Sequence, residues 1–561
     1  MKKRKVFSFL SLICILLGFT VSLRGQDKIL DLLKEEIQAQ METLQKGEYP
    51  PYFMSYRITE ISEVNMRANF GSIVNFTQQK RRILVPQIRI GSMDFDNFHE
   101  LQNGTFTNMQ SPPQTILLPL NDDNFKDSFR EILREEVNSR YLFAVNSLEN
   151  ALAKREVKSS RSDKAPDYSP AKPEKHYEKP LKIDLDAEKW KEKIRRLSKI
   201  FSENKDLHSG TIALSYKLTR KYYVSTDGSE IAENRPYMML SINAETMAED
   251  GMQLPLHQNY FAFNVSDLPS DATVIKDIKA MSDKLSQLKK APLVQPYTGP
   301  AILSGSASGV FFHEIFGHRI EAQRMKSDQD GQTFKAMVGQ SVLPSSLNVF
   351  DDPTLKEYRG VKLNGHYIFD EQGVRGERVE VVRDGILRNF LMTRTPIDGF
   401  PSSNGHARAE MVYDPTSRQS NLLIETTDYK SESELRMLLK EEAKKQGKEY
   451  GYYFKKVTGG LTQTSSMAVN SFNVTPLEVY KVFVDGRKDE LVRGVDIIGT
   501  PLSMFSNIIF AGGEPEVFTG TCGASSGNIP VTAISPTILV NKVELQRKPK
   551  PANTPPILPN R

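Results

Sequence analysis

The apolar residues in the first half of the chain follow helical and strand-like patterns in turn. They recur at intervals of three and four from residue 27 to 47 and from 125 to 152, which predicts two amphipathic helices. Two further helices are predicted at 190–201 and 277–289. Segments rich in β-branched and aromatic residues predict strands at 52–62, 66–74, 82–90, 211–216, 221–225 and 237–244. We therefore expect an N-terminal α+β domain at residues 26–290.

Short strands and turns dominate the second half. Asp384-Gly385 and Asp485-Gly486 are typical hairpin turns beside β-rich segments at 378–383, 387–392 and 479–484. This pattern predicts a β-rich C-terminal domain at residues 291–547, and the fold class is α/β of the α+β type with two domains.

Two segments have compositions that do not suit a core. Residues 154–180 are rich in Lys, Ser, Pro and Asp with almost no aliphatic side chains, which predicts a flexible or surface excursion. Residues 548–561 contain five prolines and should form an extended, unpacked tail.

Length and charge narrow the class of protein. A chain of 561 residues is too long for one ordinary domain. The formal net charge of +5 is supplied by Lys2, Lys3, Arg4, Lys5 and Arg24, so the rest of the chain is neutral overall. Because the body of the protein lacks a basic excess, we expect no nucleic-acid partner.

The first 25 residues are typical of a bacterial export signal. A basic cluster precedes an apolar stretch from Val6 to Leu23, and Gly25 offers a small residue for cleavage. An uncleaved anchor is the alternative, because Leu23 and Arg24 make a poor processing site. We expect a periplasmic or extracellular protein with no membrane association beyond this segment.

Removal of that signal leaves Cys522 as the single cysteine, so no intramolecular disulfide can form. A lone thiol can be an inert buried side chain, an intermolecular linker, a nucleophile or a metal ligand.

The segment His313-Glu314-Ile315-Phe316-Gly317-His318 carries the strongest chemical signal. Two imidazoles can hold zinc while an adjacent carboxylate takes a proton from water. The alternative is that the two histidines lie near a glutamate by chance in a core helix.

The spacing of these histidines is unusual. Five residues turn an α-helix by roughly 140°, which would point the second imidazole away from the first. We therefore expect a π-type bulge, or a helix that loosens at Gly317, between His313 and His318.

Cys522 is the candidate third ligand. It lies in Gly520-Thr521-Cys522-Gly523-Ala524-Ser525-Ser526-Gly527, which we interpret as a loop whose glycines let the backbone bend closely around a site. Two imidazoles and one thiolate leave a fourth tetrahedral position open, as in catalytic zinc sites.

These motifs together resemble the TldD/PmbA metallopeptidases, and the active TldD-type branch in particular. HEIFGH and GTCG carry the resemblance, which extends through DEQGVRGERVEVVRDGILRNFL (370–391), SSNGHARAE (402–410), Arg418 with Asn421, VTGGLTQTSS (457–466) and VRGVDIIGTP (492–501). The resemblance implies a dimer, either of two copies or with a related PmbA-like chain, that cleaves peptides in an enclosed cavity. It also implies zinc bound by His313, His318 and Cys522, with Glu314 as the catalytic base.

Four further residues are weaker candidates. His406 could contact substrate or the oxyanion, with a satisfied core or surface histidine as the alternative. Gly459 and Gly460 could let an extended peptide approach a sheet edge, or could form an ordinary bend. Glu321 could orient an imidazole, or be a solvated helix charge.

The sequence thus predicts an exported zinc metallopeptidase that hydrolyses unfolded or small peptides through metal-activated water. Two alternatives stay open. One is a non-catalytic PmbA-like partner subunit, and the other is a thiol enzyme that uses Cys522 as its nucleophile.

Overall fold

The structure is a computed structural model that describes residues 27–99, 116–120, 125–157, 163–326, 332–462, 472–499 and 501–548. The expected export signal lies outside the described residues, as does the proline-rich tail after residue 548. The chain is strand-rich with helices packed on two large sheets, so the expected α+β class is confirmed. Within the described ranges, no helix combines the length and hydropathy that a membrane span needs.

The helices of the described chain are α1 (Lys28–Leu44), α2 (Phe125–Val157), α3 (Ala187–Lys199), α4 (Asp271–Lys290), α5 (Gly305–Ile315), α6 (Gln323–Lys326), α7 (Glu432–Lys445) and α8 (Pro501–Ser506). Single 3₁₀ turns occur at Ile200–Glu203, Val265–Asp267, Gly317–Arg319 and Lys335–Met337. The strands of the first sheet are β1 (Pro51–Asn69), β2 (Ser72–Ile90), β3 (Ile116–Leu117), β4 (Lys175–Tyr177), β5 (Leu207–Ser225), β6 (Glu230–Met247) and β7 (Gln253–Ala262).

The remaining strands are β8 (Tyr297–Leu303), β9 (Leu347–Asp351), β10 (Glu357–Tyr358), β11 (Val361–Lys362), β12 (Val379–Arg383), β13 (Ile386–Leu387), β14 (Ala407–Arg408), β15 (Thr416–Ser417), β16 (Asn421–Thr426), β17 (Tyr429–Lys430), β18 (Tyr450–Thr462), β19 (Phe472–Phe483), β20 (Glu490–Val492), β21 (Val495–Gly499), β22 (Ile508–Ala524) and β23 (Gly527–Arg547). Most of them form the second sheet, whose described path runs β13-β12-β9-β16-β23-β21-β19-β18-β8. Two short pairs, β10 with β11 and β14 with β15, stand apart from it.

The first sheet is built on long antiparallel pairs. Its described path is β3-β2-β1-β5-β6-β4, with β7 on β6, and β1 pairs with both β2 and β5 over most of its length. Apolar side chains at alternate positions of β1, β5 and β6 lie under α1 and α2 at one end and under α3 and α4 at the other. One face of this sheet is therefore covered by helices.

Buried ion pairs connect the opposite face of the first sheet to the second half of the chain. Arg57 of β1 lies 3.4 Å from Glu371, and Lys221 of β5 lies 3.1 Å from the same carboxylate. Arg235 of β6 contacts its other oxygen at 2.9 Å. Burial alone would raise the pKa of Glu371, but the three cations lower it to about 2. The carboxylate therefore stays ionised and links the first sheet to the segment between β11 and β12.

The segment 154–180, expected to be a flexible or surface excursion, packs against the rest of the protein at several of its described residues. The α2 helix continues to Val157, and the Tyr168 ring is 1% exposed between the guanidinium groups of Arg89, at 3.8 Å, and Arg394, at 4.3 Å. Lys326 donates to the carbonyl of Ala165 at 3.1 Å. Cation–π contacts and backbone hydrogen bonds hold this segment, and neither requires the aliphatic side chains that it lacks.

The second sheet wraps one short, almost entirely buried helix. The α5 helix packs on β23, β18 and β22, and its aromatic residues join the largest apolar core of the described chain. Because α5 is apolar on most of its circumference, the few polar side chains it carries are buried with it.

Candidate metal centre

Small residues allow α5 to lie directly on the β22–β23 hairpin. A Cβ at Gly305 would come within 2.6 Å of the Ser535 carbonyl oxygen, and one at Gly309 within 3.2 Å of Ala533. Ser304 caps the helix by accepting from the Ala307 amide. The end of α5 that carries His313 is thereby fixed relative to the hairpin that carries Cys522.

The α-helix ends between the two histidines. Regular α5 stops at Ile315, Phe316 adopts φ −100°, and a 3₁₀ turn follows at Gly317–Arg319. The distortion that the spacing predicts is therefore present as a loosened helix end and not as a π-bulge. It brings the imidazoles of His313 and His318 to a centroid distance of 5.0 Å, at 72° to each other.

Gly317 is needed at this point because Gln419 fills the space beside it. A Cβ on Gly317 would lie 1.8 Å from the side-chain oxygen of Gln419, whose amide also donates to the His313 carbonyl at 3.3 Å. No side chain larger than hydrogen fits there without displacing Gln419.

Cys522 lies on a strand and not in the predicted loop. It belongs to β22 and faces Ile529 of β23, and the turn of this hairpin falls at Ser525 and Ser526. Its sulfur is 3.3 Å from Nε2 of His318. The glycines at 520 and 523 are compatible with a strand because β23 supplies the pairing partner.

One donor atom each from His313, His318 and Cys522 lie within 4.8 Å of one another, and all three residues are buried. Tetrahedral zinc, with bonds of about 2.3 Å to sulfur and about 2.1 Å to nitrogen, separates such donors by about 3.6 Å. The three donors could therefore hold a zinc ion.

The local charges favour the ligand form of the cysteine. Burial opposes ionisation of the Cys522 thiol, but the neighbouring His318 and His313 imidazoles lower its pKa well below the ordinary value. A thiolate is the form that binds metal.

Glu321 fixes the orientation of one imidazole. Both of its oxygens lie 3.1 Å from Nδ1 of His318, which leaves Nε2 facing Cys522. Burial would raise the pKa of the Glu321 carboxylate, but the adjacent cationic groups, with His318 foremost, lower it far below its ordinary value. Glu321 is 1% exposed, so the solvated-charge alternative is wrong.

Glu314 lies beside the three donors and lines the same cavity. Burial is the largest influence on its carboxyl group and raises its pKa, against the opposing effect of the nearby imidazoles. A carboxyl group with this environment can exchange protons nearer to neutrality than a solvated glutamate.

The cavity has a volume of about 400 Å³ and takes its walls from both sheets. Gly459 and Gly460 of β18 line it, at a point where the pairing of β18 with β19 is irregular. His257 and Asn259 of β7, in the first sheet, line it as well. They are two residues apart on one strand and so share a face. Sequence reasoning missed both, because β7 carries no regular apolar alternation.

His406 does not belong to this site. It is 0% exposed, its Nε2 lies 3.1 Å from Asp351, and its Nδ1 lies 2.9 Å from the side-chain oxygen of Asn404. It is not among the described residues that line the cavity. Polar partners inside the core occupy both ring nitrogens, which favours the alternative of a satisfied core histidine.

The C-terminal part of the chain has known relatives. Residues 296–547 match the family described as the PmbA/TldA metallopeptidase C-terminal domain. This match confirms the TldD/PmbA resemblance for this part of the chain. All three candidate ligands and Glu314 lie within the matched residues.

Proteins with similar sequences are named as metalloproteases. A metalloprotease of Archaeoglobus fulgidus is 32% identical over 42% of this chain and 51% of its own length, so the chain spans about half of that relative. A zinc metalloprotease TldD homolog of Saccharolobus solfataricus is 26% identical over 65% of this chain and 78% of its own length. These names support a metallopeptidase and suggest zinc.

Solved structures share the fold at low sequence identity. A putative modulator of a DNA gyrase from Thermotoga maritima has a TM-score of 0.58 at 15% identity, covering 91% of this chain and 100% of its own. TldE from Thermococcus kodakarensis has a TM-score of 0.56 at 11% identity, covering 91% and 99%. The likeness therefore extends over both sheets.

Proposed function

We propose that this protein is a zinc-dependent peptidase that hydrolyses peptide bonds of unfolded or small peptides. The observation that carries the proposal is the meeting of His313, His318 and Cys522 donor atoms within 4.8 Å, in a cavity that Glu314 also lines. The metallopeptidase match over residues 296–547 supports it independently.

The chain supplies the groups that such a reaction requires. His313, His318 and Cys522 would hold the metal, which would supply Lewis-acid activation of water and of the scissile carbonyl. Glu314 accepts a proton from the attacking water and returns it to the leaving amine. Glu321 keeps Nε2 of His318 directed at the metal position.

The substrate lies in the cavity between the two sheets. Its walls combine the open backbone at Gly459 and Gly460 with the polar side chains of His257 and Asn259. A Cβ at Gly459 would meet no atom within 4 Å, so the backbone is accessible there. An extended chain fits such walls better than a folded domain does.

The assembly and location are proposed on other grounds. We propose a dimer with a second copy or with a PmbA-like chain, a proposal supported by the resemblance and by the likeness to TldE. We propose export to the periplasm or the extracellular space from the pattern of residues 1–25.

A thiol peptidase is the competing function, because the Cys522 sulfur and His318 Nε2 are 3.3 Å apart, within reach of a nucleophile and its base. The third donor, His313, favours the metal. Loss of activity with a chelator, together with resistance of the zinc-loaded enzyme to an alkylating agent, would exclude the thiol mechanism. The reverse pattern would exclude the zinc mechanism.

The decisive experiment compares wild type with Glu314→Gln. We measure zinc by elemental analysis and cleavage of unstructured fluorogenic peptides. The variant should keep its zinc and lose about 10²–10⁴-fold in kcat, the range expected for loss of a general base. Glu432→Gln, at an exposed position on α7, is the matched control and should cleave normally.

Two outcomes would overturn parts of the proposal. Normal cleavage by Glu314→Gln would remove the base assignment. A zinc-loaded wild type, tested with its partner chain, that cleaves no peptide would favour the non-catalytic subunit.

A further inference from the structure

Arg418 lies between the two parts of the chain that carry the candidate ligands. It belongs to the short segment between β15 and β16, and it is 1% exposed. Its backbone amide donates to the His406 carbonyl at 3.1 Å, which ties it to the core away from the cavity. No step of the proposed reaction uses this guanidinium.

On one side, Arg418 holds the β22–β23 hairpin. Its Nη2 donates to the carbonyl oxygen of Cys522 at 2.8 Å. Its Nη1 donates to the Ser526 hydroxyl at 2.9 Å and to the Gly527 carbonyl at 3.1 Å. Three contacts therefore fix the cysteine backbone and the turn that follows it.

On the other side, Arg418 faces the carboxylate that orients His318. Its Nε lies 3.5 Å from one oxygen of Glu321. That same carboxylate lies 3.1 Å from Nδ1 of His318. One planar group thus touches the supports of two ligands that are 204 positions apart in the sequence.

The chemistry of the side chain suits this task. A guanidinium presents five donors in a rigid planar fork and remains charged, whereas a lysine presents one point charge on a flexible stem. The planar group can donate hydrogen bonds to the hairpin while its positive charge faces the Glu321 carboxylate at 3.5 Å.

We propose that Arg418 is a positioning residue that sets the separation of the His318 and Cys522 donor atoms. Its guanidinium contacts both Glu321 and the β22–β23 turn, and so fixes the position of one relative to the other. The inference rests on the proposed function for the presence of the metal site, and its test reads metal binding independently of peptide cleavage.

The experiment measures Co²⁺ and Zn²⁺ affinity by chelator competition, and the absorption bands of the Co²⁺ protein. The variants are Arg418→Lys and Ser526→Ala. Arg394→Lys is the matched control, because Arg394 is 2% exposed in another part of the core. Arg418→Lys should lower affinity about 10–100-fold and change the cobalt bands, as loss of a ligand's hydrogen-bonded support does elsewhere. Ser526→Ala should cause a smaller loss, and Arg394→Lys should keep affinity and spectrum.

A double-mutant cycle covers the case in which Arg418→Lys does not fold. If Arg418 couples the two ligand supports, Ser526→Ala and Glu321→Gln should have non-additive effects on metal affinity. Additive effects, or a folded Arg418→Lys with wild-type affinity and cobalt bands, would overturn the inference. A wild type that binds metal but cleaves no peptide would overturn the proposed function and leave this inference standing.

Discussion

Two buried histidines of the C-terminal part have nearly the same first contact and opposite surroundings. His318 is 5% exposed and His406 is 0% exposed, and each has a ring nitrogen 3.1 Å from a buried carboxylate, Glu321 and Asp351 respectively. The second nitrogen of His406 is occupied by Asn404. The second nitrogen of His318 faces the Cys522 sulfur at the wall of a cavity.

The difference shows what separates a structural histidine from a candidate ligand. A carboxylate–imidazole pair is compatible with both, because it orients and stabilises a ring in any buried position. The deciding feature is the environment of the second ring nitrogen. In a structural histidine it contacts a polar group of the core, and in a candidate ligand it faces a second potential metal ligand at a cavity wall. Substitutions at the two histidines should therefore have different consequences.

The largest effect should follow from His318→Ala. The variant should lose more than about 100-fold in zinc affinity, because removing a ligand costs more than removing a ligand's support. His406→Ala should keep zinc and lose about 1–3 kcal/mol of unfolding free energy, because Asp351 loses a partner in a fully buried position.

Elemental analysis and urea unfolding of both variants check this contrast. Full zinc content in folded His318→Ala would remove that residue from the site. Loss of zinc by a folded His406→Ala would remove the distinction between the two regions.

A smaller effect is expected from substitution of Glu321 and Asp351, the carboxylates that contact the two histidines. Glu321→Gln should weaken zinc binding about 10–100-fold, because the amide supports His318 without a charge. Asp351→Asn should lower the thermal unfolding midpoint and leave zinc affinity unchanged. Chelator competition and calorimetry measure the two quantities. Equal zinc affinities for wild type and Glu321→Gln would show that the pair at His318 is as structural as the pair at His406.

The smallest effect should come from His366, whose ring, among the described residues, contacts a backbone carbonyl and not a carboxylate. Its Nδ1 donates to the Pro353 carbonyl at 2.7 Å, and burial lowers its pKa to about 4. Because the unfolded state then binds more protons between pH of about 4 and 6.5, this residue favours folding above that window and loses its contribution as the pH falls through it.

His366→Gln should therefore reduce the loss of stability on acidification. The difference should be on the order of 1 kcal/mol at pH of about 4.5, after allowance for partial exposure. Urea unfolding at that pH and at neutrality provides the measurement. Parallel pH profiles for wild type and variant would show that the ring can be protonated within the fold.

The sequence was informative where one period of apolar residues runs uninterrupted. The helix predicted at 27–47 is α1, Lys28–Leu44, because a single face of it meets the sheet. The strands predicted at 211–216 and 221–225 are one strand, β5. Arg220 interrupts the apolar pattern between them, yet it is buried and pairs with Asp27, a partner that lies far along the chain.

The candidate site shows the same limit. Residue chemistry pointed to His313, His318 and Cys522, and the spacing required a distorted helix. The sequence pattern could not predict that Cys522 lies on a strand, because the strand depends on pairing with β23, which the residues around Cys522 do not reveal. Nor could it separate His406 from a substrate contact, since Asp351 and Asn404 become its partners only in the folded chain.

The cavity wall supplied by β7 has a consequence for how this protein could diversify. All the candidate ligands come from the C-terminal part, whereas His257 and Asn259 come from the N-terminal sheet. Under the proposed function, substitutions on the cavity-facing side of β7 would change the wall that a peptide meets without replacing any candidate metal ligand. One part of the cavity wall is thus encoded apart from the candidate ligands, although Gly459 and Gly460 of the C-terminal part line the cavity as well.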